Sequence, residues 1–312
     1  MEVKKICTEK LIDIQEGLRP LDFSHFVGQE SVKKVLATAI ASAVKRNDSM
    51  GHVLLSGPSG FGKTTMANII AKQMGVNIKA VAGYALNKPA EMISLLNTLE
   101  KGDILFIDEI HRIRPNIEEV LYLAMEDHII DMVMPDGGSV RIPLEPFTLV
   151  GATTKSESLS EPFKNRFVYS FHFMDYTLAE KKQIIQTYLK KYGITCDDKL
   201  LNTLEKSVVS TPREIHNFVL KLRDYLTVHH EKLLLSSAIL EKFLSENKIQ
   251  EGGLTPLHNK YLEILAEAER PLGVKTLAVQ LGIHEKSVEE DIEPLLLKLG
   301  KIDKTRQGRV IV

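Results

Sequence analysis

The chain has 312 residues, of which 44% are apolar and 26% charged, with 40 basic against 41 acidic side chains and a net charge of −1. That length supports two or three domains, each with its own core. The balanced charge excludes a surface that attracts nucleic acid everywhere, so any such contact must come from a local patch or from a ring that gathers patches.

The N-terminal stretch MEVKKICTEKLIDIQEG alternates charges with single apolar residues and has no apolar secretory core, so a cytoplasmic protein is expected. No run of 18 apolar residues occurs, and no membrane contact is expected. Cys7 and Cys196 stand far apart in no metal or redox spacing, as free thiols of a reducing compartment would. A helix over 30–45 leads to an apolar strand at 52–55, and the strand runs into Gly57-Pro58-Ser59-Gly60-Phe61-Gly62-Lys63-Thr64-Thr65. The spacing is that of a phosphate loop: glycines let the backbone amides curl toward phosphates, Lys63 supplies charge toward the β- and γ-phosphates, and the Thr64 hydroxyl can ligate Mg²⁺. The helix predicted at 64–74 points the positive end of its dipole at the same anions.

A helix over 89–100 precedes a second apolar strand, 104–107, that ends in Asp108-Glu109. A carboxylate there can hold Mg²⁺ through water, and the next one can polarise an attacking water, which argues for hydrolysis over passive binding. His111 is expected in a hydrogen-bonded structural role. After a helix over 117–125, residues 128–143 form a hairpin: Ile130, Met132 and Met134 alternate, Pro135-Asp136-Gly137-Gly138 turns, and Val140 and Ile142 return. An apolar, Met-containing hairpin inserted between two sheet strands has little core to join, so it is expected to bind a partner. A third strand, 147–152, ends in Thr153-Thr154, where a hydroxyl can reach the γ-phosphate or the water; Arg166 follows and, taken alone, is a surface arginine.

This alternation predicts an α/β core with a mostly parallel sheet up to residue 174. Residues 175–248 read as helices throughout, and Thr211-Pro212-Arg213 opens one of them, able to set Arg213 over phosphates. Gly252, Gly253 and Pro256 mark the next boundary, and 249–312 read as a winged helix. Its expected recognition helix, 285–298, carries Glu285, Glu289, Glu290, Asp291 and Glu293 against Lys286 and Lys298, and a major groove would repel it. The wing carries Lys301, Lys304, Arg306 and Arg309 against Asp303, so phosphate-backbone contact without sequence readout is expected there.

The order of these parts resembles the AAA+ ATPases, and more narrowly the RuvB family, a hexameric motor for branch migration of Holliday junctions. The stretches that carry the resemblance are LRPLDFSHFVGQ, GPSGFGKTT, DILFIDEIHRI, EEVLYLAMED, FTLVGATTK, TPREI and IEPLLLKLGKIDKTRQGRV, in the family's order over nearly the whole chain. The resemblance implies an ATP loop from Gly57 to Thr65 and a Mg²⁺-associated Asp108. It makes Glu109 the base, Thr154 the γ-phosphate sensor and Arg213 the lid sensor. It also makes Arg166 the finger completing a neighbour's site, and places Arg19, Pro20, Phe26 and Val27 beside the adenine. It further implies ATP and Mg²⁺ as cofactors, a homo-hexamer on duplex DNA at four-way junctions, a RuvA-like partner docked on the hairpin, and a junction resolvase as a further partner. The chain departs from the family pattern at Ser59, Phe61, Lys164 and Val209-Ser210. Two other classes fit the same core: a clamp-loader or initiator in which ATP is a loading switch, and a protein remodeller, for which Tyr84 would be the pore aromatic.

Overall fold

Strands β1 (Val53–Ser56) and β6 (Thr148–Thr153) are buried at every position, and β3 (Ile104–Asp108) at all but its last. Such strands need a sheet covered on both faces, which parallel βαβ crossovers provide. The structure, a computed structural model, describes residues 20–133, 139–207, 211–230 and 232–312. With β2 (Ile78–Ala82) and β7 (Tyr169–His172), the strands lie in the order β2-β3-β6-β1-β7, every neighbouring pair parallel. Neither β2 nor β7 was expected from the sequence, because each has half-buried positions and lies at a sheet edge. Among the described residues the α-helices of this unit are α1 (Glu30–Arg46), α2 (Lys63–Met74), α3 (Pro89–Leu96), α4 (Pro115–Glu126) and α5 (Glu161–Lys164). The register pairs Ser56 with Thr153 and Ile107 with Gly151, so the carboxyl ends of β1, β3 and β6 finish along one edge.

The hairpin forms as expected, with β4 (Ile129–Val133) antiparallel to β5 (Ser139–Pro143), and it stands outside the main sheet. One of its predicted roles is corrected. Ile130 is 1% exposed among Leu121, Phe147 and the rest of the core, and its cross-strand partner Ile142 packs on the same cluster. These two residues root the hairpin: Ile130 is not free to meet a partner, and Ile142 is half-buried. The next pair on the same face is Met132 with Val140, and Val140 is exposed. The Met132 side chain and all of Met134 lie outside the described residues.

The chain divides into two compact units at Tyr176–Thr177. The second unit begins with four helices, α6 (Leu178–Lys191), α7 (Asp198–Ser207), α8 (Pro212–His229) and α9 (Ser237–Glu246). Capping boxes start two of them: the Thr177 and Thr211 hydroxyls accept from the amides of Glu180 and Glu214, whose carboxylates bond back to the threonine amides. Then come α10 (Pro256–Ala266), α11 (Val274–Leu281) and a helix in three parts, α12: Glu285–Ser287, a π turn Val288–Ile292, and Glu293–Lys298. Pro294, which has no amide to donate, stands just past the π turn. Antiparallel β8 (Ile302–Thr305) and β9 (Gly308–Ile311) complete the wing, over a core that includes Tyr261, Leu277, Leu296 and Ile302.

Inside this last part lies a fully buried acid, Glu293. Its carboxylate accepts from the Tyr261 hydroxyl at 3.1 Å and from Arg309 Nε at 2.8 Å, and it lies 2.6 Å from Lys304 Nζ. Arg309 also reaches Glu289 at 3.1 Å, and its side chain is only 15% exposed. Its expected place among DNA contacts is therefore corrected: its donors neutralise a buried carboxylate. Lys304 shares that task but is 42% exposed, while Lys301 and Arg306 are exposed.

Burial alone would push the Glu293 pKa up, but Arg309 and Lys304 outweigh it and hold it below the ordinary glutamate value. A carboxylate depressed in this way adds stability above its unfolded pKa and loses it as pH falls through the folded one. Glu293→Gln leaves two cations around an uncharged amide and should cost about 3 kcal/mol. Hydrogen exchange of the amides of α12 and β8 in the intact chain should report that loss at neutral pH. It should also show the difference from wild type shrinking once the medium is more acidic than the ordinary glutamate range.

Candidate nucleotide-hydrolysis site

Strand β1 delivers the chain into a loop whose glycines carry φ values of 134° at Gly57, 80° at Gly60 and 98° at Gly62. Side chains are excluded there by space as well as by φ. A Cβ on Gly62 would lie 2.9 Å from two ring carbons of Phe26, and one on Gly57 would lie 3.0 Å from the Cβ of Phe173. Phe26 and Phe173 meet edge to face, Phe61 packs on Tyr176, and the Tyr176 hydroxyl donates to the Phe61 carbonyl at 2.9 Å. Buried aromatics thus set the loop's curl. Phe61, expected among the nucleotide-binding residues, has its ring 2% exposed, so only its backbone belongs to the cradle. Lys63 opens α2 and is 7% exposed, its Nζ donating to the carbonyls of Gly57 at 2.6 Å and Pro58 at 2.8 Å.

At the end of β3, Glu109 sits in the left-handed region at φ 50°, ψ 49°, a strained backbone for a non-glycine residue. Its carboxylate accepts from the Thr154 hydroxyl at 3.0 Å and the Thr154 amide at 3.4 Å. His111 Nδ1 lies 3.2 Å from the same carboxylate and 2.9 Å from the Thr153 hydroxyl. With its proton on Nδ1, the ring donates to both. Burial lowers the His111 pKa, outweighing the pull of Glu109, so the ring is neutral at neutral pH. The Asp108 carboxylate accepts from the Glu109 amide at 3.0 Å. A second close approach backs this segment: a Cβ on Gly83, just past β2, would lie 2.5 Å from the Glu109 carbonyl oxygen. Nothing in the sequence pattern marked Gly83, since it precedes Tyr84 in what reads as an ordinary loop.

The fold therefore brings Lys63, Thr64, Asp108, Glu109 and Thr154 to one sheet edge. The donor set fits a nucleoside triphosphate with a divalent cation. Loop amides and an ammonium would meet the phosphates, and one hydroxyl and one carboxylate would be left for a metal completed by phosphate oxygens and water. Among the described residues no group of three or more His, Cys, Asp or Glu could hold a metal by itself. The remaining expected site residues are placed by their own elements. Arg166 is held on α4 by Tyr122 and Glu126. Arg213 is exposed in the first turn of α8 in the second unit. Pro20 and Val27 are half-buried and Phe26 is buried, and Arg19 falls outside the described residues.

A five-stranded parallel sheet with a phosphate loop, an Asp-Glu strand and a Thr-tipped strand on one edge defines a P-loop ATPase core of the AAA+ class. A solved FIGL-1 AAA domain, 17% identical with a TM-score of 0.52, shares this fold over 74% of the chain and 91% of its own. Residues 18–173 match the profile of the Holliday junction DNA helicase RuvB P-loop domain, and residues 251–312 that of the RuvB C-terminal winged helix domain. The chain belongs to the RuvB family. It is 40% identical over 300 residues to the Holliday junction branch migration complex subunit RuvB of Campylobacter jejuni, covering 95% of this chain and 89% of that one. To the subunit of the same name from Ligilactobacillus salivarius it is 38% identical over 302 residues, covering 95% and 90%. The solved RuvB Holliday junction branch migration motor of Thermotoga maritima superposes with a TM-score of 0.80 at 37% identity, covering 95% of both chains.

The Gly83 contact is testable. Gly83→Ala should push the Glu109 carbonyl away and lower kcat for ATP about tenfold or more, while nucleotide affinity, read by a fluorescent ATP analogue, stays within about twofold. Unchanged turnover would show that Glu109 tolerates the shift.

Proposed function

We propose that the chain is the ATP-driven motor of a Holliday junction branch-migration complex, working in recombination and repair as a homo-hexameric ring that translocates duplex DNA. The observation that carries this reading is the Glu109–Thr154 pair set on the same sheet edge as Lys63, in a chain whose length and order of parts match RuvB proteins. Glu109 would take a proton from the attacking water, Thr154 would sense the γ-phosphate, and Lys63 would hold the phosphates. Asp108 and Thr64 would hold Mg²⁺, which when bound neutralises charge developing on the phosphates. Arg213 is proposed as the lid sensor, Arg19, Pro20, Phe26 and Val27 as the adenine neighbours, and Arg166 as the finger reaching a neighbouring copy's nucleotide.

The proposed organisation is an ATPase domain to residue 174, a helical lid to 248 and a winged-helix domain to 312. Lys301, Lys304 and Arg306 would meet phosphate backbone. Val140 and the outer hairpin would dock a RuvA-like protein, with a junction resolvase joining the assembly. No helix among the described residues is long and apolar enough to cross a membrane; the proposed work on DNA would take place in the cytoplasm.

The test is ATP-dependent dissociation of a synthetic four-way junction, with and without RuvA, for wild type and Glu109→Gln. Wild type should separate the arms and Glu109→Gln should lose at least about a hundredfold of that rate while still binding ATP. ATP hydrolysis without junction movement, even with RuvA present, would replace the motor by a loading switch.

A further inference from the structure

Arg166 is gripped on three sides by its own protomer. Nη1 donates to the Pro162 carbonyl at 2.7 Å, Nη2 donates to Glu126 Oε2 at 3.0 Å, and the guanidinium carbon lies 4.3 Å from the centroid of the Tyr122 ring. Its Nε–H is buried with no hydrogen-bond partner among the described residues. A purely structural arginine would be expected to spend every buried donor; this one leaves one idle and rests its plane on a ring.

The ring is itself fixed. The Tyr122 hydroxyl donates to Glu118 Oε1 at 2.5 Å and lies 3.0 Å from the Ser160 hydroxyl, which bonds the same carboxylate. Ser160 also caps α5, the short helix that ends two residues before Arg166. Phe163, fully buried, packs against Tyr122 with centroids 5.9 Å apart. Helix α4 and the Arg166 segment are thereby locked to each other through one aromatic side chain.

We infer that Tyr122 is a positioning residue for Arg166: its ring face sets the plane and height of the guanidinium for the nucleotide of a neighbouring copy. A ring face attracts a cation without fixing its in-plane direction. The guanidinium can therefore turn from Glu126 to a phosphate without leaving the ring. Glu126, 62% exposed, is a weak competitor for the guanidinium, because a solvent-exposed ion pair contributes little. The inference rests on the proposed role of Arg166 in trans, and the experiment separates the two.

Tyr122→Leu, Tyr122→Phe and Arg166→Ala are each assayed for ATP turnover alone and mixed in equal parts with Glu109→Gln. Tyr122→Leu should lower kcat about tenfold or more with KM for ATP changed less than about twofold, and Tyr122→Phe, which keeps the ring face, should recover most of that loss. Mixing supplies the readout that a folding defect would not give. Glu109→Gln subunits carry a well-placed Arg166 and Tyr122→Leu subunits carry a working Glu109, so the mixture should exceed the summed activities of its parts. If Arg166→Ala gains on mixing and Tyr122→Leu does not, Tyr122 does not act through Arg166 and the inference fails. If neither gains, the trans role of Arg166 fails and takes the inference with it. Tyr122→Met, which fills the same space without an aromatic face, takes the place of Tyr122→Leu if that variant unfolds.

Discussion

Everything chemical in the first unit depends on strand register. Three functional segments belong to β1, β3 and β6, which are far apart in the chain, and only parallel pairing with Ser56 beside Thr153 and Ile107 beside Gly151 brings their ends to one line. Parallel strands need crossover helices, and the crossover after β1 is also the helix whose first turn follows the phosphate loop. The same constraint that buries Leu55, Phe106 and Val150 therefore delivers the amides, carboxylates and hydroxyls of the site. A one-residue slip would exchange the two buried faces of a strand, mismatching the packing on each, and would move the end groups off the edge.

Much of this could be read from the sequence, for a physical reason. Central strands of a parallel sheet are continuous apolar runs, and they were visible as such. Edge strands β2 and β7 mix polar and apolar residues and were not. The glycines of the loop announced themselves by spacing, whereas Gly83 matters only because a carbonyl from another strand end comes within 2.5 Å of where its Cβ would lie. Contacts of that kind belong to tertiary packing and leave no periodic trace. The hairpin shows the same division: alternation marked Ile130, Met132, Val140 and Ile142 as sharing a face, but alternation cannot say where along that face the core stops.

Charge counting had a similar limit in the wing. Five acids on α12 against a basic wing suggested repulsion on one side and DNA contact on the other. The structure instead pairs the two across the domain, with Arg309 and Lys304 converging on Glu293. Two of the four wing cations are thus committed, wholly or in part, to neutralising a buried acid. A net charge per element treats every ionised group as free to act outward, and a fully buried carboxylate makes that assumption fail for its partners.

Helix α4 joins these observations. It follows β3 by one short turn that carries His111, so its N-terminal end is tied to the segment that holds Glu109. Its C-terminal half carries Tyr122 and Glu126 against Arg166, and Ile130 at the hairpin root shares a core with its Leu121 and Met125. Contiguity alone does not couple two sites; an element with two discrete arrangements does. In the proposed ring, Arg166 would be such an element, its guanidinium either on Glu126, as observed, or on a neighbour's phosphate with Tyr122 beneath it in both. A nucleotide in one subunit would then act on the α4 of the next, the helix that lies between that subunit's own Glu109 turn and the root of its hairpin.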